Sequence, residues 1–149
     1  MALIDDVGQG PVGVDTAIFI YFIEEDARYI SMVEPMFEAA DAGKIEIVTS
    51  ALTLLEVLVV PYRAGDIALA ERYETVLSRG RGIRMADLSR DHLRRAAKLR
   101  ASAGVATPDA LQLAAALAAG CSTFVTNDRR LPSTADLRIL QLSSYGRSV

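Results

Sequence analysis

Four carboxylates lie at positions where acidic side chains could act together. Asp15 directly follows the apolar run VGV, and Asp128 comes two residues after TFVT. Asp109 lies in the first turn of a helix opened by TPD, and Glu56 lies within the apolar stretch SALTLLEVLVVP. Carboxylates that are forced together repel each other, so at least one holds a proton unless a cation neutralises them. Mg²⁺ and Mn²⁺ prefer such oxygen ligands, and either ion can activate water for hydrolysis of a phosphodiester.

Glu56 is the least ordinary of the four, because a helix that is apolar all round is normally buried. A buried carboxylate without a partner costs several kcal/mol or takes up a proton. The positions three and four residues away on the helix hold only leucine, threonine and valine, so no cation is within local reach. The partner of Glu56 must come from elsewhere in the fold or from something bound to it.

Each acid also has a structural interpretation. Asp15 could cap the helix that follows it, Asp109 could be a first-turn acid favoured by the helix dipole, and Asp128 could be a turn residue in NDRR. Glu56 could form a buried salt bridge with a distant arginine. On the residues alone these alternatives stay open, but three of the acids fall where a ligand pocket is expected and the fourth needs a partner.

Length and composition predict one compact domain in a reducing compartment. The chain has 149 residues, 51% of them hydrophobic, and a formal net charge of −3, which argues against binding nucleic acid by bulk electrostatics alone. The lone Cys121 excludes internal disulfides. No signal-like start and no apolar run of about 20 residues is present, so we expect a cytoplasmic protein with no membrane partner.

The pattern of elements alternates between strands and helices. Short apolar strands are predicted at VGVD, KIEIVT, GIRMA, STFVT and LRIL. Amphipathic or apolar helices separate the first four, and the turn NDRR separates the last two. We expect Ser50 to cap the apolar helix, Pro61 to end it, and Thr107 to cap the helix that begins at Pro108. This alternation predicts an α/β fold, a three-layer α/β/α sandwich with a mostly parallel five-stranded sheet. Ligands of such sheets bind beyond the carboxyl ends of the strands, where the strand order reverses.

The sequence resembles a known family through four segments. These are VGVDTAIFIYF, TSALTLLEVLV, ATPDALQLAAALAAG and FVTNDRRL, which occur in the order and at about the spacing of the four acidic motifs of PIN domains, especially the VapC-like toxins. The resemblance extends from about Pro11 to Leu142. We therefore expect a PIN-like domain over residues 11–149, preceded by an N-terminal extension over residues 1–10. The extension could be a disordered tail or a start codon placed too early.

The resemblance implies a catalytic and metal-binding set and several supporting residues. The acids of the set are Asp15, Glu56, Asp109 and Asp128, which would hold Mg²⁺ or Mn²⁺ for the cleavage of RNA. The supporting polar residues are Ser50, Thr53, Thr126 and Asn127. Ser50, Thr53 and Glu56 recur every three residues, which places them on one side of a helix. The resemblance further implies a homodimer and, if the protein is a toxin, a small VapB-like antitoxin.

Other classes of function remain open at this stage. One is a PIN-type nuclease that processes RNA outside toxin-antitoxin systems, and another is a non-catalytic binding module that keeps only the fold. A phosphoaspartate receiver or a dehalogenase-like phosphatase also has an acid at the end of its first strand. The phosphatase would need a second aspartate at Ala17, and the receiver would need a lysine after a late strand, whereas the only lysines are Lys44 and Lys98.

Overall fold

A computed structural model describes residues 2–146 of the chain. This part of the chain contains seven α-helices and five strands, and no helix separates the last two strands. The helices are Leu3–Val7 (α1), Thr16–Ile23 (α2), Ile30–Asp41 (α3), Leu52–Ala64 (α4), Ile67–Arg79 (α5), Arg90–Ala103 (α6) and Thr107–Ala118 (α7). The strands are Pro11–Val14 (β1), Glu46–Ser50 (β2), Ile83–Ala86 (β3), Thr123–Thr126 (β4) and Arg138–Gln141 (β5).

The five strands form one sheet in the order β3-β2-β1-β4-β5, and every neighbouring pair is parallel. The predicted α/β fold with a five-stranded sheet is confirmed. The chain runs outward from β1 to β2 and β3, then returns to place β4 on the other side of β1. The order therefore reverses between β1 and β4, where Val14 pairs with Val125. The carboxyl ends of these two strands mark the expected ligand crevice.

Helices cover both faces of the sheet. Side chains of α1 to α5 pack on one face around buried residues such as Val14, Phe19 and Tyr73. Side chains of α7 pack on the other face around Val48, Leu113 and Phe124. Alternate strand residues point to opposite faces, which is why neighbours such as Ile47 and Val48 belong to different clusters.

Helix α7 lies close against the central strand because β1 has a glycine at the crossing point. A Cβ atom on Gly13 would stand 2.6 Å from Cδ1 of Phe124 and 2.8 Å from Cβ of Ala116. Neither a sheet side chain nor a helix alanine can give way by that much without a local shift. The missing side chain at Gly13 and the small Ala116 together allow α7, the helix that carries Asp109, to pack closely on the sheet.

The first ten residues include a short helix that sequence reasoning did not predict. Leu3 and Val7, one turn apart on α1, are 2% and 5% exposed and join the main hydrophobic cluster. The Tyr145 hydroxyl donates a hydrogen bond to Asp6 Oδ2 at 2.6 Å. The interpretation of this extension as a disordered tail is therefore wrong for residues 3–7, because an apolar pair at helical spacing buries itself on the core.

Helix ends differ from the predicted ones by one residue or one turn. Helix α4 continues through Pro61 to Ala64 and ends at Gly65, which has a φ of 69° in the left-handed region. Ser50 belongs to β2, and Ala51 is the N-cap, although the Ser50 hydroxyl still accepts a hydrogen bond from the Leu52 amide at 3.1 Å. Similarly, Thr107 is the first residue of α7 and Ala106 is its cap.

Helix α4 is apolar all round without being buried all round. Leu55, Val59 and Tyr62, at positions i, i+4 and i+7, are 62%, 41% and 57% exposed, so one side of the helix presents large apolar side chains to solvent. Glu56 is partly exposed rather than fully buried. None of the helices described here is both long and apolar enough to cross a membrane.

Candidate active site

Asp15 lies directly after β1 and is the N-cap of α2. Its Oδ1 accepts a hydrogen bond from the Thr16 amide at 2.8 Å, and its Oδ2 accepts one from Thr126 Oγ1 at 2.7 Å. Burial raises the pKa of the Asp15 carboxyl, the two hydrogen bonds partly offset this, and the charges of Glu56 and Asp128 raise it further. The predicted capping role of Asp15 is confirmed. The charges of neighbouring acids also act on the same carboxylate, so capping is not its only interaction.

Glu56 has a partner, and the partner is a hydroxyl group rather than an arginine. Thr16 Oγ1 donates a hydrogen bond to Glu56 Oε1 at 2.6 Å. No salt bridge to Glu56 occurs in the described part of the chain. The interpretation of Glu56 as a buried ion pair is therefore wrong, because the carboxylate is partly exposed and one of its oxygens is met by the residue that follows Asp15.

Asp109 lies in the first turn of α7, as predicted. Burial raises the pKa of its carboxyl, and the charges of Asp128 and Asp15 add to this effect, followed by the weaker opposing effect of Arg130. The contribution of neighbouring acids shows that Asp109 lies within electrostatic range of the rest of the set. A carboxylate in this situation is stabilised by a cation.

Asp128 forms a turn with Arg130. The Arg130 amide donates to Asp128 Oδ1 at 3.0 Å, and its guanidinium donates to Oδ1 and Oδ2, both at 3.1 Å. The Arg130 side chain lowers the pKa of the Asp128 carboxyl through these hydrogen bonds. The arginine side chain is 87% exposed, so this pair is solvated and contributes little to stability. Asp128 therefore combines the predicted turn role with a position beside the other acids.

The donor set fits a hard divalent cation. Carboxylate and hydroxyl oxygens are the ligands that Mg²⁺ and Mn²⁺ prefer, and Mg²⁺ commonly takes one or two carboxylates and keeps several waters. Between residues 2 and 146, no three His, Cys, Asp or Glu side chains converge as a complete ligand set. A cation held here would therefore be bound by few direct carboxylates and by water, with the remaining acids acting through water or after rotation of their side chains.

The surroundings of the acids are open. A shallow groove of about 250 Å³ beside Asp109 is lined by the loop between α6 and α7 and by Arg130, Leu131 and Pro132. A larger cavity of about 700 Å³ lies between α2, α3 and α5, and none of the four acids lines it. Of the four acids, only Asp109 lines the shallow groove, and a surface groove suits an extended substrate better than an enclosed small molecule.

The supporting residues predicted from the sequence occupy different environments. Thr126 binds Asp15 as described, and Thr53 Oγ1 lies 3.1 Å from Thr16 Oγ1 within a buried polar network. Asn127 Nδ2 donates to the Tyr21 hydroxyl at 3.1 Å, and Ser50 supports the start of α4. Only Thr126 therefore contacts an acid directly in this set.

Two residues at the site were missed by sequence reasoning. Thr16 donates to Glu56, and Gln112 is 3% exposed with its amide between Thr16, Thr53 and the β2 backbone. A signal for Gln112 existed, because it is the only polar residue between Ala110 and Ala119. Thr16 carried no such signal, since a threonine after a capping aspartate is ordinary.

The family model for the PIN domain matches residues 12–137 of this sequence. The chain belongs to the PIN domain family. The match includes all four acids and ends within the loop before β5, so the predicted family is confirmed. No curated protein has a sequence that matches this chain.

Solved structures resemble this PIN domain in fold at low sequence identity. VapBC2 from Rickettsia felis, bound to a promoter DNA fragment, has a TM-score of 0.66 and 19% identity, over 89% of this chain and 98% of that chain. A toxin-antitoxin complex from Klebsiella pneumoniae has a TM-score of 0.62 and 21% identity, over 85% and 94%. VapC20 from Mycobacterium tuberculosis, a Sarcin-Ricin loop cleaving toxin, has a TM-score of 0.59 and 16% identity, over 76% and 86%.

Proposed function

We propose that this PIN domain is a Mg²⁺- or Mn²⁺-dependent endoribonuclease and the toxin of a VapBC-type toxin-antitoxin pair. The observation that carries the proposal is the electrostatic coupling of the acids at the crevice between β1 and β4. Burial and, after it, neighbouring carboxylates raise the pKa of both Asp15 and Asp109, and the nearby cation, Arg130, is paired with Asp128 on the solvent side. Such a set is stabilised by a divalent cation, and Asp109 lines a surface groove at which an RNA strand would bind.

The four acids would have different roles in binding the ion and orienting water. Asp15 and Asp109 would hold the principal ion, while Glu56 and Asp128 would complete its shell or orient the attacking water. The bound ion would supply activation of water and neutralisation of the charge that develops on the phosphate. Thr126 and the Thr16 amide keep the Asp15 carboxylate fixed, and Thr16 Oγ1 fixes Glu56. Cleavage by water gives a 5′-phosphate and a 3′-hydroxyl.

The first test is cleavage of RNA with Mg²⁺ or Mn²⁺ by the unmodified protein and by Asp109→Asn. The matched control is Asp41→Asn, which removes the same charge from an exposed position at the end of α3, next to the amino ends of the strands. We expect cleavage by the unmodified protein and by the control, and loss of cleavage in Asp109→Asn or in EDTA. Equal rates for Asp109→Asn and the unmodified protein would overturn the metal-site assignment.

The proposed assembly is a homodimer that binds a small VapB-like antitoxin in the cytoplasm. The exposed Leu55, Val59 and Tyr62 on one side of α4 support an assembly, since contiguous apolar surface commonly marks a protein interface. We expect expression of the protein to arrest growth and co-expression of a small neighbouring gene to relieve the arrest. Light scattering measures the mass of the purified protein, which should be that of a dimer. RNA cleavage without growth arrest and without such a gene would instead favour a PIN nuclease of RNA processing.

A further inference from the structure

A buried amide links three of the elements that carry the acids. Gln112 follows Asp109 by three residues on α7, so both lie on one side of that helix. The Gln112 side chain reaches the end of β2, the first turn of α4 and the start of α2. Burial of the Gln112 amide, at 3% exposure, would be costly without hydrogen bonds, so its partners at both ends are what allow it inside an alanine-rich helix.

The direction of this amide is fixed by a neighbour that can only donate. The Ser50 backbone N–H points to one end of the Gln112 amide at 3.4 Å, so that end must be the oxygen Oε1. The nitrogen Nε2 therefore faces Thr53 Oγ1 at 2.8 Å and Thr16 Oγ1 at 3.2 Å, and it donates to both. An inverted amide would place two donors against each other at Ser50.

The orientation of the amide in turn settles the direction of the Thr16 hydroxyl. Because Thr16 Oγ1 accepts a hydrogen bond from Gln112, its single proton is free for Glu56 Oε1, which lies 2.6 Å away. A carboxylate can only accept, so the chain of hydrogen bonds ends there. Thr49 Oγ1, 2.7 Å from Thr53 Oγ1, extends the same network into the interior of the sheet.

We propose that Gln112 is a positioning residue of this site, which holds Glu56 through Thr16 and keeps the helix that carries Asp109 in place relative to it. This inference rests on the proposed metal-dependent function. Gln112 does not touch the substrate or the ion; it acts by presenting Thr16 as a donor to Glu56 and by tying α7 to β2 and α4. Outer partners of this kind orient the groups that bind a metal.

The test measures Mn²⁺ binding by calorimetry without RNA, together with kcat and KM for RNA cleavage. Gln112→Met keeps the length of the side chain and removes both donors and the acceptor. We expect Mn²⁺ to bind about tenfold more weakly and kcat to fall about tenfold, the lower end for loss of an outer partner, with KM unchanged. The control is Thr123→Val, since Thr123 Oγ1 is buried without a hydrogen-bond partner in the described structure and its removal should change neither value.

A double-mutant comparison separates positioning from a purely structural role. If Gln112 acts through Thr16, then Gln112→Met should cause little further loss of Mn²⁺ affinity in a protein that already carries Thr16→Val. Fully additive losses would overturn the route through Thr16. A lower melting temperature with unchanged Mn²⁺ affinity and unchanged kcat per folded molecule would overturn the positioning role altogether.

Two further outcomes keep the inference distinct from the proposed function. If Gln112→Met does not fold, Gln112→Asn replaces it, because asparagine keeps a buried amide but withdraws its donor from Thr16 by one methylene. If the unmodified protein binds Mn²⁺ and cleaves RNA while Gln112→Asn matches it in both, the inference fails and the function stands. If the unmodified protein neither binds Mn²⁺ nor cleaves RNA, both fail.

Discussion

Asp15 and Glu56 are held from the interior of the protein, whereas Asp109 and Asp128 lie on its open side. Hydroxyl groups of Thr126 and Thr16 fix the first pair, and these hydroxyls come from buried or partly buried elements. On the open side, Asp128 is paired with the exposed Arg130, and burial with neighbouring charge, not a hydrogen bond, sets the pKa of Asp109. One pair is thus held by buried or partly buried hydroxyls, whereas in the other pair Asp128 is held by an exposed arginine.

The largest expected effect comes from removing a charge on the interior side. Asp15→Asn should lower the rate of RNA cleavage about 1,000-fold, because a bound cation contributes several kcal/mol to the transition state. Asp128→Asn should cost less, since Arg130 already competes for that carboxylate. Initial rates at saturating RNA with Mn²⁺ measure both. Equal losses of cleavage rate in Asp15→Asn and Asp128→Asn would show that the interior and open sides do not differ in function.

A second prediction concerns the packing of α7, the helix that carries Asp109, against β1. Gly13→Ala places a Cβ 2.6 Å from a Phe124 atom and 2.8 Å from Ala116, and should lower the free energy of unfolding by about 3 kcal/mol. Urea denaturation measures the change. Gly10→Ala is the control, because a Cβ there meets nothing within 4 Å. Equal stability of the two variants would show that α7 is not held closely against β1.

A third prediction compares two threonines of β4. Thr126→Val removes the hydroxyl that donates to Asp15 and should cost about 1.5 kcal/mol of unfolding free energy, as for a hydrogen bond to a charged group. Thr123→Val removes a buried hydroxyl that has no partner in the described structure, and should be neutral or stabilising. Chemical denaturation of both variants tests whether the hydroxyl that binds Asp15 stabilises the fold. An unchanged free energy of unfolding in Thr126→Val would show that it does not.

The smallest effect is expected on the open side, in metal-free protein. Burial and neighbouring acids raise the pKa of Asp109, so the folded state disfavours its ionised form. Stability from the protonated form is present below the unfolded pKa of about 4 and is lost as pH rises through the folded value. Asp109→Asn should therefore raise the melting temperature slightly at pH 7 in EDTA and leave it unchanged near pH 3. A gain of equal size at both pH values would contradict this origin.

The fold could be predicted from the sequence because it depends on strong local patterns, whereas the roles of the four acids stay predictions. Alternating apolar strands and helices predict a parallel sheet, and the carboxyl ends of parallel strands meet at one edge. Asp15 and Asp128 could be placed there without any contact being known. Helix ends were less certain, since α4 runs past Pro61 until Gly65 provides the left-handed residue that ends it.

The partner of Glu56 could not be predicted, because it depends on packing between elements far apart in the chain. Thr16 reaches Glu56 only after α2 and α4 are both packed against the sheet. Leu3 and Val7, which are four residues apart, similarly gave no prediction of α1, because five residues are too few for a helical period to stand out. Gln112 shows the opposite case, in which a lone polar residue in an apolar helix was a usable signal.

The pairing of the central strand has a consequence for the order in which the protein is made. β1 emerges from the ribosome early, but its partner β4 and the nearby Asp128 follow only after α7 has been synthesised. The nascent chain can pair β1 with β2 and β3 beforehand, yet it lacks the crevice in which the acids meet. The crevice and its acids therefore form only once α7 and β4 have been synthesised, so the proposed cleavage of RNA depends on the later elements of the domain.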